Sequence, residues 1–150
     1  MLLYASETWT LLATDLAKLE VFQMKCLRRI LRKSCHRVSN KEVRDLCKID
    51  AIEKTIRKRR LKWFGHVCRM GPDRIPPRVL LDDRPQSWKC PRNAPKKTWK
   101  DQVLMDVKPL HFRSLGEAVD AACNRKQWRG VIRDAMGAAT SGSGSLPYRR

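Results

Sequence analysis

The fold is indicated most clearly by residues 50–70, which read DAIEKTIRKRRLKWFGHVCRM. Asp50 followed three residues later by Glu53 has the spacing of a capping box, and Gly71-Pro72 is a helix stop signal. Between these signals, apolar residues recur at helical spacing: Ile52, Ile56, Trp63, Val67 and Met70. The stretch therefore predicts one long helix that runs to Met70, with Trp63 packed in the core.

The remaining surface of this helix is strongly basic, because it carries Arg57, Lys58, Arg59, Arg60 and Lys62. Clustered cations gain affinity for phosphates by releasing counterions, and flanking aromatic rings can stack on unpaired bases. We expect these side chains to contact phosphates. Three other interpretations stay open: a solvated helix face, a nuclear-import signal, and an amphipathic helix that binds a membrane or calmodulin.

The composition supports a polyanionic partner. The 150 residues include 33 Lys and Arg against 15 Asp and Glu, a formal net charge of +18. This excess favours nucleic acid first and an anionic membrane surface second, and it argues against an enzyme of small metabolites. Neither a membrane span nor a signal peptide is visible in the sequence, so we expect a nuclear or cytoplasmic protein that is not secreted.

Two further helices are predicted in the N-terminal half. Thr14 is the expected N-cap of a helix that runs to Lys33. Ser39 and Glu42 form a capping box, which opens a short helix to about Lys48. Together with residues 50–70, these helices form the first predicted unit, residues 1–70.

Two helices are predicted in the C-terminal half. Thr98 is the expected N-cap of a helix that ends before Pro109. The Ser114/Glu117 capping box begins a last helix that continues without a break to about Ala135. They form a smaller helical unit, residues 98–136.

A connector, residues 71–97, separates the two units. Six of the eight prolines lie between residues 71 and 95, which excludes a regular helix there and favours extended backbone. Residues 137–150 are rich in Ser, Gly and Ala, and we expect a disordered tail. The predicted fold is therefore all-α, with two helical units, a proline-rich connector and a tail.

No metal or cofactor site is predicted. A zinc finger needs paired ligands two to four residues apart in a tight turn, which neither Cys35-His36 nor His66 with Cys68 provides. The four residues Cys26, Cys35, His36 and Cys47 have no interpretable ligand spacing. We expect the six scattered cysteines to be reduced thiols.

No catalytic residue is predicted either. His66 and Cys68 point about 200° apart on a helix, so they cannot act as a Cys–His pair. Asp82-Asp83 follows no buried strand and is interpreted as a solvated acidic turn.

Several motifs occur in an order that resembles a known family. They are YASETW (4–9), LEVFQMKCLRRIL (19–31), RRLKWFGHVCRM (59–70), APKKTW (94–99) and NRKQWR (124–129). Together they resemble the C-terminal part of reverse transcriptases from non-LTR (LINE-type) retrotransposons, over about residues 1–135. The sequence departs from the family at Ala5 (usually Gly), at Cys68 (usually Leu) and at Asn93-Ala94 (usually Gly-Arg).

The resemblance implies the thumb and the helical linker that follows it, with residues 25–33 as the thumb-like surface and residues 50–70 as the linker-like surface. The palm, with its aromatic-x-Asp-Asp motif, is expected upstream. Phosphoryl transfer needs carboxylates that hold two divalent ions, and the sequence carries no such motif. The resemblance therefore implies a fragment that binds RNA or DNA and is not an enzyme, has no small-molecule substrate, and has other retroelement segments as further candidate partners.

The expected nucleic-acid contacts are all cationic: Arg28, Arg29, Arg32, Lys33, Arg57, Lys58, Arg59, Arg60, Lys62, Arg69, Lys96 and Lys97. Two rival interpretations stay open. One is an interaction module whose basic helix docks on an acidic protein or a membrane surface. The other is a retroelement relic without a selected activity.

Overall fold

The structure is a computed structural model, and it describes residues 2–32, 38–81, 91–93 and 97–137. Over these residues the chain is all-helical, with seven α-helices and no strand, which confirms the predicted all-α class. The helices are α1 (Ala13–Ile30), α2 (Asn40–Cys47), α3 (Ile52–Cys68), α4 (Ile75–Leu81), α5 (Trp99–Val107), α6 (Leu115–Cys123) and α7 (Arg125–Gly137). Short 3₁₀ turns occupy Ser6–Thr8 and Lys108–Leu110.

The local capping signals at Ser39 and Thr98 are confirmed. Ser39 Oγ accepts a hydrogen bond from the Glu42 amide, and the Glu42 carboxylate accepts one from the Ser39 amide at 2.7 Å. That backbone bond is the main reason why the pKa of Glu42 lies below its usual value. Thr98 and Asp101 form the equivalent box at the start of α5.

The predicted limits of α1 are wrong at both ends. The helix begins at Ala13, because the Leu12 carbonyl accepts from the amides of Asp15 and Leu16, so Thr14 lies inside the first turn. It ends at Ile30, and Arg32 then adopts a left-handed backbone with φ of 51° that a continuing helix cannot contain. Lys33 lies outside the described residues.

The start of α3 is capped by another helix, and not by the Asp50/Glu53 box that the sequence predicts. The N-cap residue, Ala51, provides no side-chain hydrogen bond. The Gln23 amide from α1 instead accepts from the Ile52 backbone at 3.1 Å and donates to the Asp50 carbonyl at 3.1 Å. At its other end α3 stops at Cys68, two residues before the predicted end.

Helix α4 contradicts the prediction that no helix forms between residues 71 and 95. Pro76 and Pro77 are the second and third residues of α4. In a first turn the backbone amides have no intrahelical acceptor, and the fixed φ of proline already suits the helix. The segments 82–90 and 94–96, which include Asp82-Asp83 and Lys96, lie outside the described residues.

The single C-terminal helix of the prediction is two helices, because the chain breaks at Asn124. Its backbone is extended, and its Oδ1 accepts from the amides of Lys126 and Gln127 at 3.1 and 3.2 Å, which caps α7. Ser114 caps α6 as predicted. Gly137, assigned to the disordered tail, ends α7, and residues 138–150 lie outside the described residues.

Helix α3 lies at the centre of the main core. The largest cluster of buried side chains combines α3 with the three C-terminal helices: Leu61, Phe64, Val103, Val107, Ala118, Ala121, Ala122, Trp128, Ile132 and Met136. A smaller cluster of Met24, Leu27 and Val43 joins α1 to α2. The division of the chain at residue 70 stays a prediction, but the main core joins α3, which lies before residue 70, to α5, α6 and α7, which lie after it.

The core aromatic residue of α3 is Phe64, and not Trp63 as the sequence predicts. Phe64 is fully buried, whereas Trp63 is half-buried. One residue corresponds to about 100° on a helix, and the side that faces α5, α6 and α7 is centred on Leu61, Phe64 and Gly65.

Helices α3 and α7 cross at very short range at Gly65. A Cβ atom placed on Gly65 would lie 2.3 Å from Cδ1 of Trp128, so only glycine leaves room for the indole ring. The Trp128 Nε1 donates a buried hydrogen bond of 2.8 Å to the Leu61 carbonyl. This contact fixes the relative position of the two helices that line the candidate site.

Candidate nucleic-acid interface

An open groove of about 670 Å³ runs between α3 and α7. We call it the α3–α7 groove. Its lining residues are Asp50, Lys58, Lys62, His66, Arg69, Arg125, Arg129, Ile132, Arg133, Met136 and Gly137. Ile132 and Met136 belong to the main core, so the groove has an apolar base beneath charged walls.

The basic residues of the groove form two rows. Lys58, Lys62 and His66 follow one another at four-residue spacing on α3, which places them on one face of the helix. On α7, Arg125, Arg129 and Arg133 repeat the same spacing, and all three are exposed. Two facing helices therefore present cations along the same groove.

The charge of the groove is strongly one-sided. Among the described residues, six Lys and Arg side chains line it, against one carboxylate, Asp50, which is paired with Lys54 at 3.2 Å. Arg133 also lies 3.9 Å from the neighbouring Asp134, but both side chains are about 80% exposed, and such pairs contribute little in water. The groove is therefore suited to an anionic ligand with repeated charges.

One end of the groove is held in place by Arg69. Its guanidinium donates a 2.6 Å hydrogen bond to the carbonyl of Ala122, near the end of α6. Beside the groove, the ring of Trp63 lies 5.5 Å from that of His66. The α3 wall thus carries an aromatic pair next to its cations.

Two of the predicted phosphate contacts, Arg60 and Arg57, instead hold α3 to α5. Arg60 is only 3% exposed, and its guanidinium donates to the Asp106 carboxylate at 2.6 Å. Arg57 donates to the Asp106 carbonyl at 2.7 Å. Burial raises the pKa of Asp106 above its usual value, and the nearby Arg60 and Arg57 oppose that shift. Arg60 is therefore a structural cation and is not available to phosphates.

Arg59 ties the start of the chain to α3. Its guanidinium donates to the Leu3 carbonyl and lies 3.5 Å from Ser6 Oγ. Of the five clustered basic residues that the sequence predicts as contacts, only Lys58 and Lys62 line the groove. The other three point elsewhere because a helix distributes consecutive residues around its axis.

Among the other predicted contacts that the structure describes, Arg69 lines the groove, whereas Arg28, Arg29, Arg32 and Lys97 do not. Arg28 donates to the Val38 carbonyl at 2.8 Å, and Lys97 donates to the Leu11 carbonyl at 3.3 Å. Arg29 and Arg32 are exposed near the end of α1. Lys33 and Lys96 lie outside the described residues.

The α7 wall contains none of the contacts that the sequence predicts. Arg125 and Arg129 belong to the 124–129 motif, and Arg133 belongs to no motif. Their four-residue spacing was the available signal, because it predicts one basic stripe on a helix. Only the fold shows that this stripe faces the basic face of α3.

The described residues contain no group of three or more His, Cys, Asp or Glu side chains arranged to hold a metal ion. Within the same part of the chain, no helix combines the length and the apolarity needed to cross a bilayer.

No protein-family model, curated protein or solved structure matches the chain significantly. Its function is therefore inferred from the groove itself.

Proposed function

We propose that the chain binds nucleic acid through the α3–α7 groove. The observation that carries the proposal is the pair of cationic rows on facing helices, Lys58 with Lys62 and Arg125 with Arg129 and Arg133. A polymer of phosphates offers a negative charge at each repeat, so several cations along one line can each neutralise a phosphate and release a counterion. A single small anion would not use both rows.

The expected mode of binding is tolerant of sequence. Lys and Arg contacts to phosphates position a nucleic acid but carry no base information. The groove is lined mainly by such side chains. We infer that RNA and DNA of different sequences bind with similar affinity at a given salt concentration.

The proposal includes an origin in the C-terminal region of a non-LTR retrotransposon reverse transcriptase, and a nuclear or cytoplasmic location. Two of the motifs that carry this resemblance, residues 59–70 and 124–129, contribute Lys62, His66, Arg69, Arg125 and Arg129 to the same groove. This common location supports the idea that both motifs belong to one binding surface.

We expect the purified chain to show no primer extension on a primed RNA template with Mg²⁺ or Mn²⁺. Two-ion phosphoryl transfer requires carboxylates that hold both ions, the resemblance implies that the family supplies them in an aromatic-x-Asp-Asp motif, and the sequence does not contain that motif. An active reverse transcriptase on the same template is the positive control. Extension that disappears when an Asp of this chain is replaced would contradict the proposal that the chain is not a polymerase.

We expect the variant Lys58→Gln, Lys62→Gln, Arg129→Gln, Arg133→Gln to lose most of the salt dependence of binding. Each phosphate contact contributes about 0.7 to the slope of log affinity against log salt on a single strand and about 0.9 on a duplex, so the slope should shrink by about three units. Gln has a helix propensity similar to those of Lys and Arg, so far-UV circular dichroism should be unchanged. Fluorescence anisotropy over a salt series measures the slope.

A variant with the same charge change elsewhere is the matched control. Lys18, Lys41, Lys48 and Lys108 are exposed, do not line the groove and lie outside the thumb-like surface of residues 25–33. Replacing these four with Gln should leave the slope nearly unchanged. Equal effects of the two variants would mean that net charge, and not the groove, determines binding.

The same assay separates the two rival functions. Binding to vesicles that contain phosphatidylserine or to an acidic protein, without binding to RNA or DNA, would favour the interaction module. Absence of binding to all of these probes by the folded chain would favour the relic.

A further inference from the structure

Two cysteines meet where α3 and α6 end. Cys68 is the last residue of α3, and Cys123 is the last residue of α6. The Cys123 Sγ lies 3.9 Å from the Cys68 carbonyl oxygen. Their chain neighbours are also joined, because the Arg69 guanidinium donates to the Ala122 carbonyl at 2.6 Å. Two independent contacts therefore hold these helix ends together.

The two thiols have different surroundings. Cys123 is exposed, whereas Cys68 is half-buried and packs against the main core. Burial, together with the nearby Cys123, raises the pKa of Cys68 to about 12, and Arg69 opposes the shift. The thiolate is the reactive form of cysteine, and burial disfavours it at Cys68. The exposed Cys123 is therefore the thiol that reacts first with a reagent from solution.

We propose that Cys68 and Cys123 form a redox couple that closes into an intramolecular disulfide when the chain meets a small-molecule disulfide such as oxidised glutathione. In the first step the Cys123 thiolate attacks one sulfur of glutathione disulfide. A mixed disulfide forms, and one glutathione thiolate leaves. In the second step the Cys68 thiolate attacks Cys123 Sγ and releases the second glutathione. The protein loses two electrons and two protons, and one glutathione disulfide becomes two glutathione molecules.

The positions of Cys68 and Cys123 favour closure of the disulfide between them. Disulfides usually have Cα–Cα distances of about 4.4–6.8 Å, and a pair farther apart than about 7 Å can close only if the backbone moves. Both cysteines are in terminal helical turns, and such turns adjust more easily than helix interiors.

The test uses a chain in which Cys26, Cys35, Cys47 and Cys90 are replaced by Ser, so that only Cys68 and Cys123 remain. After incubation with oxidised glutathione, intact mass should show the loss of two hydrogens with no glutathione attached. Non-reducing peptide mapping should then identify the Cys68–Cys123 link. The link closes a long loop, so Tm should rise by on the order of 10 °C and return to its original value on reduction.

Two single-cysteine chains are the matched controls. The chain with Cys123 alone should stop at the glutathione adduct, because it has no second thiol to resolve it. The chain with Cys68 alone should react far more slowly, because its thiol is half-buried and weakly acidic. These two results would establish which sulfur reacts first.

The proposal would be overturned if the two-cysteine chain keeps its glutathione adduct, or if it forms only links between chains. If the four Ser replacements prevent folding, the same mapping of the wild-type chain decides the question, because the proposal requires the Cys68–Cys123 peptide pair there too. None of these outcomes depends on nucleic-acid binding.

Discussion

Arg60→Gln should lower the free energy of unfolding by about 3–5 kcal/mol, the usual cost of removing one partner from a buried ion pair. Arg60 is 3% exposed and Asp106 is 7% exposed, so the remaining carboxylate would be left in a low-dielectric interior without its main partner. Urea unfolding followed by circular dichroism measures the loss. A basic helix thus depends for its stability on one of its own cations.

The loss should depend on pH in a defined direction. Burial already raises the pKa of Asp106, and removal of Arg60 takes away the largest opposing interaction. With a folded-state pKa above that of the unfolded chain, the native state binds the proton more tightly, so stability falls as the pH rises between the two values. The cost of Arg60→Gln should therefore be smallest below about pH 4, where the carboxyl group is protonated in both states.

Two variants serve as controls for Arg60. Arg59→Gln removes the same charge from an exposed neighbour and should cost only about 1 kcal/mol, the net value of a typical hydrogen bond. The double variant Arg60→Met, Asp106→Leu removes both buried charges and should recover most of the stability. If Arg60→Gln and Arg59→Gln have equal effects, the buried pair does not have the structural role assigned to it.

Gly65→Ala should cost at least about 1–3 kcal/mol, the range typical of overpacking a core. The new Cβ would lie 2.3 Å from Cδ1 and 2.4 Å from Nε1 of Trp128, so the indole or the helix must move. Movement of the indole would also weaken its hydrogen bond to the Leu61 carbonyl. Thermal and urea unfolding measure the loss of stability. We also expect α7 to move away from α3.

Gly130→Ala in α7 is the matched control, because a Cβ there meets nothing within 4 Å. In an open helical position this change should stabilise the chain by about 0.5–1 kcal/mol, the opposite sign. In a Trp128→Leu background, Gly65→Ala should also lose most of its cost. A Gly65→Ala chain as stable as the parent would show that the close crossing at Trp128 does not constrain the fold.

The parts of the fold that could be predicted depend on neighbours in sequence. Ser39, Thr98 and Ser114 cap helices through residues three positions away, so the pattern alone contains both partners. The start of α3 could not be predicted in this way, because its capping group comes from Gln23 on another helix. Asn124 is a local capping signal too, but it lies inside an otherwise continuous helical pattern, which predicts no break there.

The candidate site was only partly predictable for a similar reason. The sequence shows that five of residues 57–62 are basic. It does not show which of these cations forms a buried ion pair within the fold. Asp106, which holds Arg60, lies 46 residues away along the chain. Lys58 and Lys62, which the sequence predicts as phosphate contacts, line the groove, whereas its opposite wall depends on the packing of α7 on α3.

The main core also determines how well the chain tolerates changes in the length of the connector. Phe64 meets Val103 and Trp128 only after the connector, residues 71–97, closes as a loop, whereas the Met24–Val43 core joins segments close in sequence. Loop-closure entropy grows only with the logarithm of length, by about 0.6 kcal/mol per doubling. Among the residues that the structure describes, none that lines the groove belongs to the connector. Insertions at residues 91–93, which are exposed, should therefore leave the groove intact, and connectors of different length are compatible with the same charged surface.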